Sequence, residues 1–270
     1  MLTLQNDQLR IELLHPETDQ PRMGVRYCTG GYIFQVHDNT HGPLLTGPTY
    51  PESFNWFDGQ GIPDAFNLSP VHSTQELGRA LIIGTGVCDL PSRKVLTFAN
   101  WQIDESPQRL QFVTDQSFEE TRLSLTRTVS LTQRTIRSHT RLQNTGSAFV
   151  PMRWFPHPFY PQTEGDELLW VNAPLRWRAD RAYTQQDNGF IARTGWPWTD
   201  GHYCPLDHDA QAPLLLLQRH PKLGLVSAAC SYVPDFFPIW GNANTFSWEP
   251  FLERLVAPGQ SVEWFIDYTF

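Results

Sequence analysis

Val262-Glu-Trp-Phe-Ile-Asp-Tyr-Thr-Phe270 alternates with a period of two. Val262, Trp264, Ile266, Tyr268 and Phe270 fall on one side of an extended chain; Glu263, Phe265, Asp267 and Thr269 fall on the other. Successive side chains of a strand point to opposite faces, so the segment reads as a strand with one core-facing side. Pro258-Gly259 supplies the turn that enters it.

The same period recurs outward from this segment. Leu9, Ile11 and Leu13 alternate near the start; Leu123, Leu125, Val129 and Leu131 alternate in the middle, with Arg127 breaking their apolar face. Ile136 to Leu142 reads as the next strand, and Asn144-Thr-Gly146 as the turn after it. Leu214 to Leu217 and Leu223 to Ala229 read as further strands, the second expected to be buried on both faces. The 22 prolines, recurring every dozen residues or so, would break helix interiors. Leu44 to Ser73 and Thr194 to Pro213 are irregular but aromatic, which predicts long ordered loops. Strand after strand without helical crossovers predicts stacked antiparallel sheets in one domain over residues 1–270.

Composition narrows the function. A chain of 270 residues with 40% apolar content buries a large core. Its net charge of −8 argues against a nucleic-acid backbone partner. No apolar run is long enough to span a membrane, and the first residues lack the basic and apolar regions of a secretory leader. Cys28, Cys88, Cys204 and Cys230 are widely spaced, which predicts free thiols and a cytoplasmic location.

Four stretches carry candidate chemistry. In Met152-Arg-Trp-Phe-Pro-His157-Pro-Phe-Tyr160, Pro158 pushes His157 toward extended geometry. An imidazole there can exchange protons near neutral pH, or serve as a satisfied structural histidine. In Phe246-Ser-Trp-Glu249-Pro, an aromatic setting would disfavour the charged carboxylate and make Glu249 a better base, unless it only caps a strand end. In Arg26-Tyr-Cys-Thr-Gly-Gly-Tyr-Ile33, the paired glycines predict a bend or a close backbone approach. Arg26 is there either to bond a ligand hydroxyl or to sit on the surface. Gly59-Gln-Gly-Ile-Pro-Asp-Ala-Phe-Asn67, with Glu52 and Trp56 upstream, either lines a pocket or caps the sheets. His202, Asp207, His208 and Asp209 fit no standard zinc spacing, so no metal is expected.

Taken in order, these pieces resemble the aldose 1-epimerase (galactose mutarotase-like) superfamily. The resemblance rests on Leu4-Gln-Asn-Asp-Gln-Leu-Arg-Ile11, Arg26-Tyr-x-x-x-Gly-Tyr-Ile33, Leu142-Gln-Asn-Thr-Gly146 with His157-Pro-Phe-Tyr160, and Trp248-Glu-Pro250 with Pro258-Gly-Gln-Ser261. It implies a large antiparallel β-sandwich (the galactose mutarotase-like supersandwich) with a carbohydrate site on one concave face. It implies Glu249 as general base and His157 as general acid, interconverting the α and β anomers of an aldose by ring opening. It implies no metal or nucleotide cofactor. The two groups are then expected to face each other across about one sugar ring.

Sugar rings pack their C–H faces on aromatic side chains and need polar partners at the edge. The rings near these motifs are Trp56, Trp154, Trp240 and Trp248, each of which serves either the core or a ligand; the polar groups are Asp64, Asn242 and Asn244. The expected substrate-binding set is Arg26, Glu52, Trp56, Asp64, Trp240 and Trp248, with a small carbohydrate as partner. The family's Asn-Arg pair and second site histidine have no counterpart, and neither His37, His41 nor His72 carries the surrounding motif; Asp235 stands where an Asp follows the acid. Two rival readings follow: a non-catalytic carbohydrate-binding or regulatory domain, and a hexose-phosphate epimerase, which predicts an Arg/Lys cluster at the pocket.

Overall fold

A computed structural model describes residues 1–178, 180–198 and 200–270. Its largest element is a sheet of ten strands. At its centre the strand Ser261–Thr269 pairs antiparallel with Thr135–Asn144 on one side and Gly224–Cys230 on the other. From there the sheet runs through Thr121–Thr132 and Arg109–Phe118 to Gln102–Ser106 at one edge, and through Leu215–His220 and Glu167–Val171 toward Tyr183–Gln185 at the other. All of its pairings are antiparallel, as short hairpin connections allow.

Trp264, Ile266 and Tyr268 are buried on the Ser261–Thr269 strand while Glu263 is exposed and Phe265, Asp267 and Thr269 are half-exposed, as the alternation requires. They pack against a second layer. Trp264 meets Trp154 with ring centroids 5.2 Å apart and Phe66 at 6.3 Å, and Tyr268 stacks on Trp248 at 6.0 Å. That layer holds two narrow sheets. One has three strands, Leu252–Val256, Val150–Pro156 and Asp64–Ala65; the other joins Tyr160–Pro161, Thr245–Trp248, Phe237–Gly241 and His202–Leu206. The two layers form the antiparallel sandwich expected from the sequence.

Arg127 is the charged break in the apolar face of Thr121–Thr132, and it does point inward. Its guanidinium meets the Asp64 carboxylate through two contacts, 2.7 Å and 2.5 Å long, so a forked ion pair bridges the layers. Burial pulls the Arg127 pKa down, and the Asp64 charge more than reverses this and keeps the cation.

The Gly224–Cys230 strand departs from expectation. It is not buried on both faces: Leu225 is exposed while Val226 and Ala228 are buried, because the second layer covers only one side. The glycine pair at 30–31 does mark a close approach, since a Cβ on Gly30 would lie 2.6 Å from the Trp101 ring. The four cysteines are buried free thiols. No helix is long and apolar enough to cross a membrane among the described residues.

Candidate active site

The site is built by strand alternation on the narrow three-stranded sheet. Met152 and Trp154 of Val150–Pro156 face the ten-stranded sheet and join the main core. Arg153, Phe155 and His157 therefore face the other way. The ladder continues past the formal strand end, with the His157 amide donating to the Pro63 carbonyl at 2.8 Å and the Phe159 amide to Gly61 at 2.8 Å. On the neighbouring segment Trp248 and Leu252 face the core, so Glu249 and Phe251 face outward with His157 and Phe155. The two outward faces floor a cleft of about 370 Å³. This is within the ~300–1,000 Å³ of small-molecule sites.

At the floor His157 Nε2 lies 3.4 Å from Glu249 Oε1. The other ring nitrogen, Nδ1, is 2.8 Å from the Ser247 hydroxyl, which fixes the imidazole plane. Phe159 stacks under the imidazole at 4.3 Å, and the edges of Tyr27 and Trp240 close around it at 6.3 and 6.1 Å. Phe155 and Phe251 stack beside the pair at 4.4 Å and 16°, extending the floor as an apolar platform.

Burial sets the proton inventory. It raises the Glu249 pKa to about 8, against a downward pull from Arg26. It lowers His157 well below the usual imidazole range, and the Arg26 charge adds to that. Burial therefore pushes both members of the pair toward their neutral forms, a carboxylic acid beside an imidazole, and away from a salt bridge. Two proton-exchanging groups in contact, with displaced affinities, on the floor of a cleft make a suitable site for acid–base chemistry.

Arg26 reaches the cleft from the opposite loop. It donates to the Phe57 carbonyl at 2.7 Å and stacks over Tyr27 and Phe57 at 5.1 and 4.9 Å. That loop is itself braced: the Asn55 side chain bonds the Asp58 carboxylate at 2.7 Å, and the Tyr27 hydroxyl donates to the Asp58 carbonyl at 3.0 Å. Asn242 and Asn244 each donate to the Pro48 carbonyl at 2.9 Å and hold another segment of the rim.

Of the residues expected from the sequence, the cleft brings together His157, Glu249, Arg26 and Trp240. It does not include the rest. Trp248 is fully buried between Tyr160 and Tyr268, because it precedes Glu249 by one residue and must point to the opposite face. Asp64 is turned into the core by the same parity and is held by Arg127. Trp154 packs in the core beside Trp264. Trp56 lies against the backbone at Gly24, and Glu52 is exposed on the outer turn of the loop. Asp235 pairs with Arg254 at 2.9 Å, His37 with Glu12 at 3.2 Å, and His41 and His72 are exposed away from the cleft. The acid and base also stand side by side instead of across a sugar ring.

The cleft contains residues that the motifs did not single out for binding. Arg153, Phe155 and Phe251 line it, and so do Asn67 and Tyr203. Counting in steps of two from His157 and Glu249 finds the first three. Asn67 ends the Gly59 to Asn67 stretch expected to line a pocket or cap the sheets, although no periodicity singles it out there; Tyr203 comes from the other irregular stretch and has no such signal.

No protein-family model matches the sequence, and no curated protein is similar to it in sequence. Solved structures do share its fold. A galactose mutarotase-like protein from Lactobacillus casei superposes with a TM-score of 0.60 at 14% identity, covering 100% of this chain and 99% of that one. A candidate aldose 1-epimerase from Escherichia coli K12 gives 0.60 at 14%, covering 99% and 97%. The GalM/aldose epimerase homologue from C. elegans gives 0.54 at 11%, also covering 99% and 97%. The chain therefore has the galactose mutarotase-like fold over its whole length.

Proposed function

We propose that the protein is a carbohydrate isomerase that interconverts the anomers of an aldose, with His157 and Glu249 as its proton-transfer pair. The observation that carries this reading is the 3.4 Å contact between His157 Nε2 and Glu249 Oε1 on the floor of an aromatic cleft. Anomer exchange requires a proton to leave the anomeric hydroxyl and another to reach the ring oxygen. Both oxygens are bonded to the same carbon, so two groups side by side can reach both from one face.

Burial favours the protonated Glu249 carboxyl and the neutral His157 imidazole; with the imidazole's own hydrogen on Nδ1, donated to the Ser247 hydroxyl, Nε2 is free to accept a proton. Ring opening then begins with Glu249 giving its proton to the ring oxygen while His157 Nε2 accepts the hydroxyl proton. The roles named by the family resemblance, carboxylate as base and imidazole as acid, are those of the next step. The carbonyl turns and the ring closes on the other face. Glu249 takes the proton back, and His157 returns its own to the new anomeric oxygen. The transient imidazolium and carboxylate lie in contact, which limits the cost of separating charge in a buried site. Arg26 would orient a ring substituent, and Trp240 would pack against the sugar's C–H face.

A hexose-phosphate substrate would call for several uncommitted cations. Arg26 has no carboxylate partner among the described residues, but Arg153, the other cleft arginine, lies 2.9 Å from Glu253. A neutral aldose fits this charge balance better. The test is NMR or polarimetric exchange of anomers over a panel of free aldoses, with wild type against Glu249→Gln. Exchange faster than buffer, lost in the variant, supports the assignment. Saturable sugar binding without exchange would replace it by the binding-domain reading.

A further inference from the structure

The cleft floor has a third row beyond the acid–base pair and the phenyl platform. Arg153 is paired in register with Glu253, and Phe155 with Ala65. Extending the second register by two residues brings Asn67 alongside Arg153. At ~3.3 Å per residue this row lies about 13 Å along the strand from His157, with the Phe155–Phe251 platform between them.

Asn67 is held firmly and left unsatisfied. Its turn is closed by the Ser69 amide on the Phe66 carbonyl at 3.1 Å, and the Ser69 hydroxyl accepts the Arg153 amide at 2.8 Å. Yet its side-chain Oδ1 is buried without a protein partner, and the residue lines the cleft. A buried amide oxygen with no partner costs free energy until water or a ligand meets it. Beside it, the Arg153 guanidinium lies over the Phe251 ring at 4.9 Å, with Nε 2.9 Å from the Glu253 carboxylate as an ion pair but not hydrogen-bonded to it.

We propose that Asn67 and Arg153 form a distal subsite that binds the hydroxyls of the sugar farthest from the anomeric carbon. This rests on the acid–base reading of His157 and Glu249. With the anomeric carbon over that pair, a pyranose lays its C–H face on Phe155 and Phe251 and turns its 3- and 4-hydroxyls toward Asn67 and Arg153. Because Glu253 already neutralises Arg153, the subsite selects a neutral hydroxylated end over a phosphorylated one. Asn67 and Arg153 are specificity residues; the proton transfers stay with His157 and Glu249.

The experiment measures binding by calorimetry and anomer exchange by NMR. It uses glucose, galactose, their 4-deoxy analogues and glucose 6-phosphate, with wild type, Asn67→Ala and Arg153→Met. For the better of the two parent hexoses, each variant should raise Kd and KM about tenfold, equivalent to ~1.4 kcal/mol, with a smaller effect on kcat. The 4-deoxy analogue keeps only the 3-hydroxyl at this subsite, so it should lose less than its parent in each variant, and the phosphate should bind no tighter than its parent. Equal losses for parent and deoxy sugar, no loss in either variant, or a phosphate preference of tenfold or more would overturn the subsite while leaving the acid–base assignment standing. If no hexose binds wild type, the assignment fails and the subsite with it. The Arg153 side chain is half-buried, 39% exposed, and packs beside the core instead of within it, so Arg153→Met keeps the test decisive should Asn67→Ala fail to fold.

Discussion

The Arg127–Asp64 pair and the His157–Glu249 pair lie on opposite faces of the same narrow sheet. On the core face, a guanidinium and a carboxylate meet through two short contacts, and the cation is held charged. On the cleft face, an imidazole and a carboxyl touch at 3.4 Å, and each is pushed by burial toward its neutral form. The first arrangement satisfies its charges and joins two layers. The second holds a proton between groups of displaced affinity, next to space for a guest. Burial alone therefore does not mark a functional pair. What separates the two is whether each partner's charge is fully answered by the protein.

Exchanging a member of each pair should separate chemistry from stability. Glu249→Gln is expected to lower anomer exchange by roughly 10²- to 10⁴-fold while the protein stays folded, measured by NMR exchange beside a thermal melt. An unchanged rate would remove Glu249 from the mechanism. Arg127→Met should do the reverse. It leaves the Asp64 carboxylate buried without its cation and should cost about 3–5 kcal/mol in urea denaturation. Adding Asp64→Leu should recover much of this, because the orphaned charge is then gone; no recovery would mean that the pair is not the source of the loss.

A pH series sharpens the same contrast. The Glu249 carboxyl rises from 4.5 in the unfolded chain to about 8 in the folded one, so the native state holds that proton more tightly. The stability from this group is full below pH ~4.5 and is lost as the pH climbs through about 8. Glu249→Gln should flatten that loss, which amounts to a few kcal/mol in wild type, in denaturation midpoints taken from about pH 5 to 9. A variant as pH-sensitive as wild type over this window would show that the carboxyl is not buried in its acid form. Ser247→Ala is the mildest change. It removes a hydrogen bond worth about 1 kcal/mol from His157 Nδ1 and should slow exchange about fivefold with little effect on substrate affinity. A larger effect on KM than on kcat would argue that Ser247 serves the binding wall instead of the imidazole.

The contrast also explains how far the residues could be read in advance. Strands were legible wherever alternation was clean, as at Leu9 to Leu13 and Val262 to Phe270. Leu223 to Ala229 reads as buried on both faces because apolar residues occupy both parities there, whereas in the observed strand Gly224–Cys230 only one parity meets the second layer. His157 and Glu249 could be singled out because prolines and aromatics surround each. Trp248 was drawn into the binding set by proximity to Glu249, though adjacent strand residues cannot share a face. Asp64 differs in the same way: its neighbour Ala65 packs in one cluster with Phe155 and Phe251, so Asp64 points to the opposite face and meets Arg127. Asn67 lies in a turn, where no periodicity assigns a direction.

The sequence by itself determined that the chain forms strands, because a period of two puts apolar side chains on one face and leaves water the other. It also placed an imidazole and a carboxyl in aromatic settings that would displace their proton affinities. The tertiary structure alone decided which face became core and which became cleft. Alternation says that Trp154 and Phe155, or Trp248 and Glu249, point apart; only packing against Trp264 and Tyr268 says which of each pair is enclosed. The same packing joined Asp64 to Arg127 and His157 to Glu249. Contacts between residues so far apart in the chain arise from burying one shared core, and no local pattern encodes them.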